Sequence, residues 1–426
     1  DIASATSNDR ALHMALHTLE NMVKGGMYDL VESGFCRYST EETWLIPHFE
    51  KMAYDNGLLS EVYLHAYRVT RNKTYLDIAR DTLSFMIDKM SENRLFYSAS
   101  DADSDGIEGK YFMYDYDDVL GQLTRNGFDR ADAEEMCRYL NITPSGNFEG
   151  GSIVRLDQDR PETYDKAIQV LSGIREAREY PFIDKKVITS WNAMVIKSLF
   201  LLARYDKRFL EDAKHSLDAL LEKLYIDGRL YHTTMINGEA KVSAFLEDYA
   251  YLSVALIQAY QTTLNNEYLL LAQLLSHKAL ENFFEGGRWY FSKGEFVMEA
   301  DIGDSSYAGS VGVMIDALLS LGILLDEKYR RFAFMSLEYY SSQLVKKPAL
   351  SPYLFDQALR YIKGDRLIKG KRSSHEQLEA SFLKLNYPFM LRSLSSEEET
   401  LLCGVESCYT RLSPDSDLAE ELNKTL

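Results

Sequence analysis

Residues 199–231 read LFLLARYDKRFLEDAKHSLDALLEKLYIDGRLY, and the plan of that stretch recurs along the chain. An apolar segment ends, a short polar turn leads to an aromatic residue, and an amphipathic segment follows. Residues 64–97 (LHAYRVTRNKTYLDIARDTLSFMIDKMSENRLFY) and 257–290 (IQAYQTTLNNEYLLLAQLLSHKALENFFEGGRWY) repeat it, and 321–344 (LGILLDEKYRRFAFMSLEYYSSQL) repeats it more loosely. The aromatic anchors are Tyr75, Phe209, Tyr268 and Tyr329. Arg94, Arg229 and Arg288 follow the first three by 19, 20 and 20 residues. Phe209 to Tyr268 is 59 residues and Tyr268 to Tyr329 is 61, while the 134 between Tyr75 and Phe209 leave room for one further unit. Helices near 128–140 and 162–178 are expected to supply it, and a helix near 9–23 precedes the first full repeat. Self-similarity at a fixed period marks a repeat architecture.

The two helices of each unit differ. In the second, Leu76, Ala79, Leu83, Met86 and Met90 fall on one stripe at helical spacing, which predicts an outer helix wet on one side. The first is apolar nearly all round, as in MVIKSLFLL or VGVMIDALLSLGILL, which predicts burial on every side. Buried inner helices alternating with amphipathic outer ones predict an all-α fold, a closed six-hairpin α/α barrel over residues 1–346 with its first hairpin incomplete. The remainder, 347–426, breaks the pattern. DRLIKGK, YPFMLRS and ETLLCGV read as strands, with helices near 374–385 and 417–425, so a small α/β module packed on the barrel is expected.

Charge narrows the function. Lys plus Arg is 47 against 65 Asp plus Glu, a net charge of −18, and no basic run interrupts it. That argues against a nucleic-acid backbone as partner. The longest apolar run, near 308–325, is broken by Asp316 and is too short for a membrane span. The four cysteines, Cys36, Cys137, Cys403 and Cys408, are read as structural thiols in a reducing, cytoplasmic compartment. Cys403 and Cys408 alone are spaced for a redox pair or half of a metal site. The chain opens Asp-Ile-Ala-Ser with neither a start Met nor a basic leader, which suggests a fragment or processed product. No phosphate loop, dinucleotide fingerprint or metalloprotease motif is present, so no cofactor and no metal are expected.

The unusual residues gather at the starts of the inner helices. WLIPHFEKMAYDN holds Trp44, His48, Glu50 and Asp55; DKKVITSWNAM holds Trp191 and Asn192; AFLEDYAYL holds Glu247, Asp248 and Tyr249; DIGDSSYAGS holds Tyr307. In a ring of parallel inner helices these N-termini share one mouth. Asp55 lies twelve residues before Tyr67 and Asp248 twelve before Tyr260, so the two aspartates occupy equivalent levels. A His, several carboxylates, hydroxyls and aromatic faces suit a polyhydroxylated ligand. The same residues also suit plain helix capping. His48 is the first choice for acid–base work, with Asp248, Asp55 or Glu247 as the carboxylate. Trp44, Glu50, Trp191, Asn192 and Tyr249 are the candidate ligand contacts, with Asp101 and Asp103 at the rim; His232 follows a repeat's Arg-Leu-Tyr and is a weaker candidate. The Asp101–Glu108 run opens like a calcium loop, but Phe112 stands where a bidentate Glu is required.

Residues 25–59, GGMYDLVESGFCRYSTEETWLIPHFEKMAYDNGLL, resemble a signature of the thioredoxin-domain-containing spermatogenesis-associated protein family. FYSASDADSDGIEGKYFMY, DKKVITSWNAM, FLEDYAYL and the Cys403-x4-Cys408 pair continue the resemblance in order. That family is similar in fold to six-hairpin glycosidases and N-acylglucosamine 2-epimerases. The resemblance implies a carbohydrate-active protein, a sugar isomerase or epimerase or else a glycoside hydrolase, with a small carbohydrate as partner. It also implies a thioredoxin-like domain, whose Cys-x-x-Cys is absent here. The alternative is a non-enzymatic scaffold for that domain. The sequence departs from the family pattern at Ser306-Tyr307-Ala308-Gly309, where Gly309 replaces an Asn.

Overall fold

The computed structural model of the protein describes residues 2–294 and 296–425. About 52% of the described residues are helical, well above the 30–35% of an average domain, and 16 α-helices lie among them. The chain forms two compact units. One is built from the segments up to Leu12, Leu64–Asn72 and Ile188 onward; the other from His13–Tyr63 and Lys73–Val187.

In the first unit three helix pairs follow one another: Thr189–Leu202 with Leu210–Leu224, Leu246–Thr263 with Asn266–Phe283, and Ser310–Leu324 with Lys328–Lys346. The first helices of the pairs pack side by side in chain order, and Pro352–Lys363 continues the row against Ser310–Leu324. Each second helix packs on its own first. The apolar patterns explain the division. Leu210–Leu224 buries Ala213, Ser216, Leu217, Leu220 and Leu224, one stripe at helical spacing. Ser310–Leu324 is buried from Ser310 to Ile315 and again from Ala317 to Leu321. The residue between, Asp316, is held by the Tyr353 hydroxyl and the Arg360 guanidinium, each at 2.7 Å. Gly312 lets the two neighbouring first helices close up, because a Cβ there would come within 3.2 Å of the Tyr353 ring. Truncating any one of the fully buried Leu318, Leu319 or Leu321 should cost about 2–5 kcal/mol.

The arginine that follows each anchor marks a hairpin turn. Tyr225–Ile226 pairs with Arg229–Met235 and Phe284–Glu285 with Arg288–Lys293, both antiparallel. Their two-residue turns, Asp227–Gly228 and Gly286–Gly287, have φ values of +49°, +74°, +59° and +100°. Two successive positive φ values are what a tight turn between right-twisted strands requires. In the other unit Asn93–Arg94 does the same at +53° and +66°.

The C-terminal module holds a four-stranded sheet in the order Met390–Leu394, Arg366–Gly370, Thr400–Cys403, Cys408–Leu412. Its first two strands are parallel and joined through the Arg372–Phe382 helix, as a parallel pair requires. The last strand was not expected from sequence. Gln261 ties the sheet to the Leu246–Thr263 helix, its amide and the Arg392 backbone exchanging hydrogen bonds of 3.0 and 2.9 Å. Cys403 and Cys408 form a disulfide, the pairing that their spacing left open. Cys36 and Cys137 are free and buried. No helix of the described residues is long and apolar enough to cross a membrane.

The second unit contains Asp9–Met22 from His13 on, Lys73–Asp88 and three short helices, Tyr116–Arg125, Arg130–Tyr139 and Tyr164–Glu176. The last two match the expected positions. Tyr116–Arg125 was missed, though Asp115 caps it by accepting from the Asp118 N–H at 2.9 Å. The three close on Val119, Leu123, Ala133, Met136, Cys137 and Leu171. A buried ion cluster lies elsewhere in this unit: Asp29 accepts from Lys51 at 2.8 Å and from Arg175 at 2.6 Å.

Candidate active site

The strongest cluster in the first unit is built from four local decisions. His232 sits on the Arg229–Met235 strand. Glu247 and Asp248 are the second and third residues of the Leu246–Thr263 helix. Ser190 and Trp191 hold the same two places in Thr189–Leu202. Tyr307 lies in the loop that leads into Ser310–Leu324. The Thr189 hydroxyl, donating to the Tyr231 carbonyl at 2.6 Å, pins the strand to the start of the helix.

Asp248 is the hub. Its Oδ2 accepts the Phe245 N–H at 2.9 Å, which caps its own helix. Its Oδ1 accepts the Ser190 N–H at 3.2 Å, which caps the neighbouring one. His232 Nδ1 lies 3.0 Å from Oδ2 and 3.2 Å from Oδ1. Burial raises the Asp248 pKa, but all three of these neighbours present N–H donors, an arrangement that fits the carboxylate. Nδ1 of His232 therefore carries the proton and Nε2 is left to act. Burial works against the imidazolium, yet the hydrogen bond and charge of Asp248, with the charge of Glu247, raise the His232 pKa overall.

Glu247 is the reactive-looking member. Burial, reinforced by the charge of Asp248, pushes its carboxyl up to about 7. Its Oε1 lies 4.0 Å from His232 Nδ1, and its Oε2 accepts the Tyr307 hydroxyl at 3.3 Å. Trp191 Nε1 donates to that same hydroxyl at 3.4 Å. Side-chain exposure grades from 21% for His232 through 13% for Glu247 to 0% for Asp248, so the two groups able to exchange protons are the two that solvent or a ligand can reach. Phe245 stands edge-on to His232 and stacks on Phe291, with ring centroids 4.9 Å apart in both pairs.

His232, Glu247 and Asp248 also place three ligand atoms within 4.8 Å of one another, spacing that a metal ion could use. The donors do not favour it. Both Asp248 oxygens are already engaged by backbone N–H groups, and the His232 nitrogen nearest the carboxylates is the protonated one.

The remaining expected residues fall elsewhere. Asn192 is buried, donating to the Ile188 carbonyl at 3.1 Å, and Tyr249 is buried with its ring 5.7 Å from that of Phe283. In the second unit His48 lies between two glutamates, Nε2 at 3.2 Å from Glu50 and Nδ1 at 3.0 Å from Glu108, with the Tyr38 ring stacked 5.2 Å away. The carboxylate partners of His48 are thus Glu50 and Glu108, and Asp248 takes its imidazole from His232. Arg37 reaches Glu50 at 3.2 Å. Asp55 is the third residue of Ala53–Thr70, as Asp248 is of its helix. Burial lifts its carboxyl to about 7, Arg37 opposing and Glu50 adding, and its Oδ2 has no hydrogen-bond partner. Trp44 is half-buried with φ +65°. Asp101 accepts the Ala102 N–H at 2.7 Å and, with Asp103, is exposed. The Asp103–Ser104 and Ile107–Glu108 strands make this run a hairpin around Asp105–Gly106 rather than a calcium loop. Tyr307 and Glu108 both stood in motifs quoted from the sequence, but nothing in their spacing showed their partners.

No family model matches the chain. It is 25% identical to human spermatogenesis-associated protein 20 over 97% of its length, and 27% identical to an uncharacterised protein of Caenorhabditis elegans over 94%. The chain spans 63% of the length of each of these curated relatives. Among solved structures, cellobiose 2-epimerase from Bacillus thermoamylovorans superposes with a TM-score of 0.51 at 12% identity, covering 80% of this chain and 72% of that one. At that identity the likeness speaks for the fold, an arrangement of helix pairs shared with a sugar-acting enzyme. The chain is a homologue of the proteins called spermatogenesis-associated protein 20.

Proposed function

We propose that the protein is a cofactor-independent carbohydrate isomerase or epimerase, working by proton transfer between Glu247 and His232 on an open-chain sugar. The observation that carries this reading is the Glu247 carboxyl, partly exposed, titrating near neutrality and set beside an imidazole that Asp248 orients. A base is most useful when its pKa lies near the working pH. In its carboxylate form Glu247 takes the proton from the carbon next to the sugar carbonyl. The electron pair moves to the carbonyl oxygen, where the imidazolium form of His232 supplies a proton. For a ketose, Glu247 returns its proton to the former carbonyl carbon while His232 Nε2 takes the hydroxyl proton from the neighbouring carbon; for inversion, His232, reprotonated by solvent, delivers a proton to the same carbon from the opposite face as the enol proton and the Glu247 proton pass to solvent. Trp191, Tyr307 and Phe245 offer aromatic faces and hydroxyl contacts for the ring and its substituents. Asp248 aligns His232 and touches no substrate.

Glycoside hydrolysis is less well supported. It needs two working carboxylates on either side of the scissile bond. Asp248 is fully buried and spends its lone pairs on two amides and an imidazole. The closed six-hairpin ring, a cytoplasmic location and partnership with a thioredoxin-like region belong to the same proposal, as does any activity of the longer relatives.

The test is hydrogen exchange in heavy water. Neutral aldoses and β-linked disaccharides are incubated with the protein, and deuterium at C2 is followed by NMR. Glu247→Gln and His232→Asn should each abolish incorporation while leaving the fold intact by circular dichroism. Incorporation that survives both substitutions, or none with any sugar together with no thermal shift, would sink the reading.

A further inference from the structure

The Thr400–Cys403 and Cys408–Leu412 hairpin is out of regular register at one point. Thr400 faces Leu412, Leu401 faces Arg411 and Leu402 faces Thr410, so the next pair should be Cys403 with Tyr409. The structure instead sets Cys403 opposite Cys408. One extra residue, Tyr409, is accommodated as a bulge, and Gly404 donates its N–H to the Ser407 carbonyl at 2.8 Å to close the turn. Bulges re-aim side chains and occur preferentially at sheet edges and functional positions. This one sits on the edge strand of the sheet and brings the two cysteines into bonding position. The Tyr409 hydroxyl lies over Gly404, at the end of an exposed ring.

The two sulfurs live in different surroundings. Cys408 is exposed, whereas Cys403 is 4% exposed on the inner strand. The hydrophobic cluster of the module, with Ile368, Leu378, Phe382, Leu402, Leu412 and Leu418 among its members, includes neither cysteine. The bond spans a sequence separation of 5 inside a hairpin that backbone hydrogen bonds already close. A cross-link over so short a loop restricts the unfolded chain least, so it adds less to stability than a bond closing a longer loop would. Its place and its exposure therefore call for another role than holding the module together. The two other thiols do not compete for exchange: burial pushes Cys36 up to about 12 and Cys137 up to about 11.

We propose that the Cys403–Cys408 bond is a thiol–disulfide exchange site for a dithiol, with Cys408 as the attacked residue. A thiolate of the dithiol attacks Cys408 Sγ, forming a mixed disulfide as the bond to Cys403 breaks and Cys403 leaves as a thiolate. The second thiol then attacks the incoming sulfur and releases Cys408. The dithiol ends as a disulfide, and two electrons and two protons have passed to the cysteine pair.

The experiment exposes the folded protein to dithiothreitol, quenches with a maleimide and maps the labelled cysteines by mass spectrometry. Cys403 and Cys408 should both be labelled without denaturant, Cys36 and Cys137 should not, and the melting temperature should move by no more than a few degrees. Cys403→Ser should then react with an aromatic disulfide reagent at Cys408 at least tenfold faster than Cys408→Ser reacts at Cys403. A bond that opens only in denaturant overturns the proposal, as does unfolding of the module on reduction. Equal reactivity of the two variants removes the assignment of Cys408 as the attacked sulfur.

Discussion

Glu247→Gln removes one titrating group and keeps its shape, so its effect on stability can be worked through. The folded pKa of about 7 stands above the ordinary value of 4.5. The folded state therefore holds the proton more tightly than the unfolded one. Stability is highest below pH 4.5 and falls as pH rises toward 7, because folding must then either keep a proton that the unfolded chain has lost or bury a charge. With those two values, the loss at pH 8 is roughly 3 kcal/mol and at pH 5 a little under 1 kcal/mol. Glutamine resembles the protonated form and escapes the loss. Urea unfolding followed by circular dichroism should find Glu247→Gln close to the wild type at pH 5 and about 2–3 kcal/mol more stable at pH 8. Equal effects at the two pH values, or stabilisation confined to pH 5, would refute the argument. The gain at high pH would also explain why so costly a group is kept, since a site that stores this strain has a use for the proton.

Asp55→Asn should behave alike in the second unit: its folded pKa of about 7 against 3.8 predicts stabilisation on the order of 4 kcal/mol at pH 8 and little change at pH 4, read by the same unfolding curves. Asp29→Asn should act in the opposite direction. Against the cost of burial, Arg175 and Lys51 hold the Asp29 carboxyl well below the usual range, and removing its charge leaves two buried cations facing each other, at a cost of about 3–5 kcal/mol that calorimetry would show as a lowered Tm. Gly26→Ala should be among the most damaging glycine changes. At φ +77° a Cβ would run into the Trp44 and Leu45 carbonyls, so loss of soluble expression is expected, and a folded variant of unchanged Tm would count against the backbone reading.

The helix pairs were legible because each rests on a local pattern. A stripe such as Ala213, Leu217, Leu220 and Leu224 needs only helical spacing to be seen, and the arginine after each anchor is the visible trace of a turn that wants two positive φ values. Tyr116–Arg125 was passed over because its acidic start reads as a loop until Asp115 is seen capping it. The spacing of Cys403 and Cys408 allowed a pair, but the single bulged residue that sets them opposite each other is announced by no pairing rule in the sequence. The site shows the same limit more sharply. Register along a helix is local, and it correctly set Asp55 and Asp248 at the same third position. What each aspartate can do depends on partners far away in the chain. Asp248 meets the Ser190 N–H from 58 residues away and the His232 imidazole from 16. Asp55 has an orphaned oxygen and a charge balance set by Arg37 and Glu50. One aspartate is thereby fixed as an anchor for an imidazole, and the other is left close to neutral. Equivalent places in a repeat are therefore evidence of common architecture and no evidence of common chemistry: Asp248 meets His232, while the imidazole nearest Asp55 in the sequence, His48, meets Glu50 and Glu108 instead.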